Sequence, residues 1–220
     1  MTSGTAPLPP AAPDLPETLE PLDAAPAGLG GLALAGRLVR GLDLSGLDAR
    51  DLRIVESRLE DVDAAGLVAP GVAMRDVVVG RGSWAGANAG SAQLERVELT
   101  GVRLTGVSFA EASLTDIAFV DCRIDLANFR FAELRNVCFD GCRLEESDFC
   151  EAKLASVLLT GCDLTRVSLA GAAFTRCELR RCHLEAIGNP ERLRGVRMRM
   201  ADVVQAADVL AAAACIEIVD

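Results

Sequence analysis

Eight cysteines, one histidine and an uneven scatter of carboxylates are the residues of this 220-residue chain best suited to chemistry. Cys122, Cys142, Cys162 and Cys182 recur every twenty residues, which sets them in a line rather than around a point. Thiols pointing one way along a line suit neither a disulfide nor tetrahedral zinc. Cys177 shares their local pattern, so all five read as small buried hydrophobes. Cys138 and Cys150 fall at outward positions, either reactive or incidental. His183 has no Cys, Ser or carboxylate arranged around it at the spacing a general base needs and reads as a surface residue. Neither a phosphate loop nor a dinucleotide fingerprint is present. The chain therefore reads as a non-enzyme with no cofactor and no metal.

The carboxylates are more suggestive. The formal net charge is −10. Residues 111–151 carry ten acids against four Arg, whereas residues 166–199 carry eight Arg against three Glu. An acidic middle beside a basic end makes a field that steers a partner, and the acidic balance disfavours direct nucleic-acid binding. Asp125, Glu145, Glu146, Asp148 and Glu151 fall along one corner. They read either as an imitation of DNA phosphates or as a solvated face laced with ion pairs, since Arg123 and Arg143 lie two residues from Asp125 and Glu145. Val120, Cys138 and Leu158 share a different side and form a candidate apolar contact patch.

What positions these residues is a five-residue repeat. Val97-Glu-Leu99, Val102-Arg-Leu104 and Val107-Ser-Phe109 open a series that runs in one frame to Cys182/Leu184. Small apolar, polar, large apolar is the alternation of a half-buried strand. Its reset every fifth residue demands a corner in each pentad, and repeated corners wind a solenoid whose units bury their faces by stacking. Phe109, Phe129 and Phe149 are spaced by twenty, as are Phe119 and Phe139 and the Cys series, so four pentads make one coil. Like residues then form core columns about 4.8 Å apart. A degraded form of the frame extends back to about residue 42, with Gly80–Ser91 its weakest stretch and a candidate outward loop. Coils over this span make a rod about 35 Å long.

These pentads resemble the pentapeptide repeat family, whose consensus places a small residue two before a central Leu or Phe. The resemblance implies an all-β fold, a right-handed quadrilateral (four-sided) parallel β-helix with a C-terminal capping helix. It also points to the quinolone-resistance group of that family, rod-like dimers that bind type II topoisomerase in place of DNA. DNA gyrase is thus the candidate protein partner, and Asp125, Glu145, Glu146, Asp148 and Glu151 the candidate binding patch. An adaptor scaffold with another protein partner is the alternative.

The ends differ in composition. Residues 1–36 hold seven of the nine Pro and no Lys or Arg, which reads as a flexible acidic tail whose deletion leaves folding intact. The β-helix is expected over 37–190, regular from about 92. Residues 191–220 form the cap, with Val203, Ala207, Leu210 and Ala214 on one helical stripe and a terminal strand containing Ile216 and Ile218. That segment either covers the open end of the solenoid or mediates a homodimer, an association common in the family. With no signal peptide and no membrane-spanning stretch, a cytoplasmic location is expected.

Overall fold

The computed structural model describes residues 6–26 and 28–219. Residues 1–5 and Ala27 of the expected tail, and Asp220 of the expected cap, lie outside them. The described residues form thirteen strands: β1 (Glu20–Leu22), β2 (Ala33–Ala35), β3 (Arg37–Arg40), β4 (Arg53–Asp63), β5 (Ala73–Ser83), β6 (Gln93–Thr100), β7 (Ser113–Val120), β8 (Glu133–Asp140), β9 (Lys153–Ala155), β10 (Leu158–Thr160), β11 (Ala173–Thr175), β12 (Glu178–Arg180) and β13 (Arg197–Met198). All pairings are parallel, and the register is twenty residues through the body of the rod: Ile54 lies over Met74, Leu94 over Leu114, Leu99 over Phe119. The result is a parallel β-solenoid of about 9 turns. It is longer than the span from residue 42 suggests because coiling starts earlier and continues through β13.

The four sides follow the pentads in chain order. Side A carries the inward Leu94, Leu114 and Leu134; side B, Leu99, Phe119 and Phe139; side C, Leu104, Ile124 and Leu144; side D, Phe109, Phe129 and Phe149. Both apolar positions of each of these pentads point inward and are buried. Phe129 stacks on Phe109 and Phe149 with ring centroids 5.5 and 4.7 Å away, and Phe119 stacks on Phe139 at 4.8 Å. The close ring spacing follows from the coil repeat, which sets equivalent side chains one strand separation apart.

Each pentad turns its corner at its third outward residue, which adopts positive φ. Glycine often stands there, as at Gly46 and Gly106, but so do Asp51, Asp76, Arg96 and many others. Left-handed backbone costs an L-residue roughly 1–2 kcal/mol, yet here stacked coils impose it. At the C–D and D–A corners the turn is closed by a bond such as Leu47 N–H to Leu44 C=O (3.3 Å) or Leu52 N–H to Ala49 C=O (3.1 Å). Through the A–B corner, β4 and β5 continue as one strand.

The structure corrects three boundaries. The tail expected over 1–36 is built into the rod in its second half: β1 lies on β3, β2 on β4, and Leu29 is 2 % exposed. Apolar Leu22, Leu29, Leu32 and Leu34 supply the core contacts that the proline count obscures. The twenty-residue register holds well before residue 92. Gly80–Ser91 does not bulge: Asn88 bridges to Val68 and Ser108, and Trp84 occupies the inward column of side C. Gly82 makes room there, since a Cβ on it would collide with the Val62 backbone.

At the C-terminal end a 3-10 turn (Pro190–Leu193) replaces a pentad and shortens the register to Glu178 over Arg197. Two short helices follow, α1 (Met200–Gln205) and α2 (Ala207–Ala213), broken at Ala206. The expected single helix with Val203, Ala207, Leu210 and Ala214 on its packed stripe is thereby corrected. Asp202 and Ala206 are buried, Val203, Val209 and Leu210 are half-buried, and Ala207 and Ala214 are exposed. Asp202 takes the inner place because its carboxylate receives the Arg181 N–H (3.0 Å) and the Arg199 guanidinium (2.8 Å). No terminal strand forms among the described residues, and Ile216 and Ile218 are exposed.

Candidate protein-interaction face

The acidic residues singled out by the sequence do converge, across side C, side D and their corners. Asp125 and Glu145 stand outward on side C, Glu146 at the C–D corner, Asp148 on side D and Glu151 at the D–A corner. Few of them are free. Arg123 Nε is 3.0 Å from Asp125 and Arg143 Nη2 2.8 Å from Glu145. Arg166 Nη2 is 2.6 Å from Glu146, and Arg130 Nη1 is 2.8 Å from Asp148. Burial pushes the Asp125 carboxyl above its usual range, against the pull of Arg143 and Arg123. Glu151 forms no ion pair among the described residues; its carboxylate lies where a Cβ on Gly171 would stand. Four of the five carboxylates thus meet a guanidinium group, leaving a patch patterned in charge but nearly neutral.

The same face carries two residues that the hydrophobic frame does not explain. Leu126 and Phe131 occupy the third outward position of successive pentads, both at φ 59. They are 56 % and 53 % exposed. A bulky apolar residue in left-handed backbone, turned to water, contradicts both conformational and burial preference. The corners flank side D like two posts, with the Arg130 guanidinium 5.9 Å from the centroid of the Phe131 ring. Beneath Leu126 the usual turn bond is replaced by the buried Ser147 hydroxyl, which accepts from Ala127 N–H (3.3 Å) and donates to Ile124 C=O (2.7 Å). Neither post stands out to a search for inward residues. The available signal is a large apolar side chain at Leu126, where Gly106 and Gly86 stand one and two coils earlier.

Other candidates organise less chemistry. The Cys column lies inside, each thiol directed at backbone carbonyls, as Cys142 is at Phe119 O (3.4 Å). Burial pushes the half-buried Cys138 thiol up to about 11, away from thiolate reactivity. His183 is exposed with Nε2 3.2 Å from Glu185. No cluster of metal-binding residues occurs among the described residues. At the basic end, Arg180 lies 2.7 Å from Glu178 within β12 and holds its carboxyl below the usual range, while Arg197 Nε of β13 lies 3.9 Å from the same carboxylate. Among the described residues no helix is long and apolar enough to cross a membrane.

The fold matches the pentapeptide repeat β-helix, and residues 92–169 match the family model described as pentapeptide repeat region. This chain carries that repeat and winds it into a solenoid. No curated protein matches the sequence. Among solved structures, the full-length QnrB1, a plasmid-mediated fluoroquinolone resistance protein, is 16 % identical with TM-score 0.45, over 79 % of this chain and 99 % of that one. HetL, involved in heterocyst differentiation regulation in the cyanobacterium Nostoc sp. strain PCC 7120, is 17 % identical with TM-score 0.36, over 78 % and 92 %. Rfr23 from the cyanobacterium Cyanothece 51142 is 15 % identical with TM-score 0.20, over 70 % and 88 %.

Proposed function

We infer that this rod is a non-enzymatic protein-interaction module whose partner meets the face spanning sides C and D. The observation that carries this reading is the pair Leu126 and Phe131, held in water at left-handed corners. Exposed aromatic and aliphatic anchors inside a ring of charges are the anatomy of a binding hot spot. In its finer form the reading takes a type II topoisomerase such as DNA gyrase as the partner, met by a rod imitating DNA. The uninterrupted coils, the carboxylates on successive coils and the resemblance to the quinolone-resistance group support it.

The ion pairs favour a second reading, an adaptor scaffold for another protein, because carboxylates matched by arginines present little of the field that DNA presents. Supercoiling by purified DNA gyrase, with and without a fluoroquinolone, separates the two. Under DNA mimicry the wild type inhibits or protects, and charge reversal at Glu145, Glu146, Asp148 and Glu151 abolishes the effect. An effect lost with Leu126→Gly/Phe131→Gly but kept on charge reversal makes the contact apolar rather than mimetic. No effect at micromolar protein rejects gyrase as the partner. Exposed Met200, Val204, Ile216, Ile218 and Val219 at the cap support a homodimer through the C-terminal region. Light scattering of wild type and Val204→Asp/Ile216→Asp tests it, a wild-type monomer excluding it.

A further inference from the structure

Residues 6–19 lie on the rod as an arm, and the manner of seating is regular. Ala11 N–H donates to Asp116 Oδ1 (3.2 Å), and Asp14 N–H donates to Asp76 Oδ1 (3.1 Å). Asp76 and Asp116 stand two coils apart on the A–B corner, so three arm residues climb about 9.6 Å at the coil spacing. Polyproline II rises about 3.1 Å per residue, or about 9.3 Å over three. The half-buried prolines repeat with the same period: Pro7, Pro10 and Pro13 are partly covered, while Leu8, Pro9, Ala11 and Ala12 are exposed. A β-strand alternates every two residues; a period of three is the polyproline II helix laying one edge on a surface.

The corner is built to receive it. Arg96 holds Asp76 from below with two contacts of 2.7 Å, and Asn136 Nδ2 donates to Asp116 Oδ1 at 3.3 Å. Both carboxylates are therefore fixed, and what they bind is main chain rather than arm side chains. The recognised features are generic: a proline against the rod every third residue, each followed by a residue with a free N–H. Pro10-Ala11 and Pro13-Asp14 satisfy that rule.

We propose that the A–B corner is a docking rail for polyproline II peptides, with the chain's own arm as its resident ligand, and that a partner bearing a Pro-x-x-Pro segment binds the rod by displacing the arm. Two main-chain hydrogen bonds, a proline edge and the half-buried Leu15 and Leu19 hold the arm, few contacts for a segment of that length. Its hold rests on tethering, which supplies an effective concentration of about millimolar for a short flexible link. A free peptide of the same sequence competes poorly with the intact arm and well with a loosened one.

The experiment uses full-length protein labelled for NMR, wild type and Pro10→Gly/Pro13→Gly, titrated with a synthetic peptide of residues 6–19. A scrambled peptide of equal composition without the three-residue proline period is the control. Expected are amide shifts around Asp76 and Asp116, an apparent Kd at least about tenfold lower for the loosened variant, and no shifts from the scrambled peptide. Asp116→Ala introduced into the loosened variant weakens the peptide without lowering its melting temperature. Absence of shifts at millimolar peptide in both proteins, or equal binding of the scrambled peptide, overturns the proposal. So does exchange of the wild-type Ala11 and Asp14 amides at the rate of an unstructured chain. Arm protection that falls on dilution of a wild-type dimer also overturns it, placing the arm on a second copy.

Discussion

Phe129 and Phe131 are the same residue type two positions apart, and the structure assigns them opposite roles. Phe129 is fully buried, stacked between Phe109 and Phe149 and edge-on to Phe139 at 6.4 Å. Phe129→Ala removes a core ring and leaves a cavity that neighbouring coils, held at the strand repeat, cannot close, so the loss belongs at the upper end of about 3–5 kcal/mol. Each ring pair contributes about 0.5–1.5 kcal/mol beyond area, and a double-mutant cycle with Phe149 should return a coupling of that size. Phe131→Gly behaves differently. It removes a half-exposed ring, and relief of left-handed backbone worth roughly 1–2 kcal/mol offsets the lost contact and the added freedom of glycine, about 0.5–1 kcal/mol. Its net effect stays within about 1 kcal/mol of zero. Urea unfolding followed by far-UV circular dichroism and by fluorescence of Trp84, the only tryptophan, reads both variants. Coincidence of the two probes licenses a two-state treatment of a solenoid. Equal costs for the two substitutions, or a cost below about 1 kcal/mol for Phe129→Ala, would refute the assignment of inward and outward positions.

Three further outcomes follow from the local chemistry. Arg199 holds the Asp202 carboxyl down to about 2, from its ordinary 3.8. A depressed carboxylate contributes stability above its unfolded pKa and loses it as pH falls through the folded one. Cap protection in hydrogen exchange should therefore be complete above about pH 4 and fall toward pH 2, and Asp202→Asn should abolish that dependence; a wild-type cap indifferent to pH rejects the clasp. Ser147→Ala strands a buried N–H and a carbonyl, costing about 1–3 kcal/mol by thermal unfolding; an unchanged midpoint means the turn closes on itself. Deleting residues 1–36 removes β1, β2 and Leu29 and should lower the melting temperature by unpacking the first coil, whereas an unchanged transition would show that the rod begins later.

The coil was legible in the sequence because the inward positions of nearly every pentad carry apolar side chains, and Phe129 over Phe149 or Cys142 over Cys162 needs only a count of twenty. The corners were not. Their conformation is imposed by stacking and leaves only a partial mark, glycine at some corners and Asp, Glu or Arg at others, so Phe131 and Leu126 look like ordinary hydrophobes until the backbone shows them facing water. The arm was illegible for another reason: its partners, Asp76 and Asp116, lie far along the chain and bind its main chain, while its composition alone describes a disordered tail. At the cap, an alanine-rich run looked like one helix, and only the Arg199 and Arg181 contacts reveal why Asp202 turns inward. The acidic corner was half legible, since Arg123 and Arg143 are near in sequence but Arg166 reaches Glu146 from the next coil.

The five-residue corner rule also makes the rod a device with phase. Inserting one whole pentad between the arm's rail and Leu126 keeps every inward position apolar and so spares the core. It nevertheless turns everything beyond the insertion by a quarter of a revolution about the long axis. Inserting four pentads restores the angle and merely lengthens the rod by one strand spacing, about 4.8 Å. Orientation and separation of the two surfaces can therefore be dialled separately by integer insertions. Any single partner that grips both surfaces will tolerate an added full coil far better than an added single side.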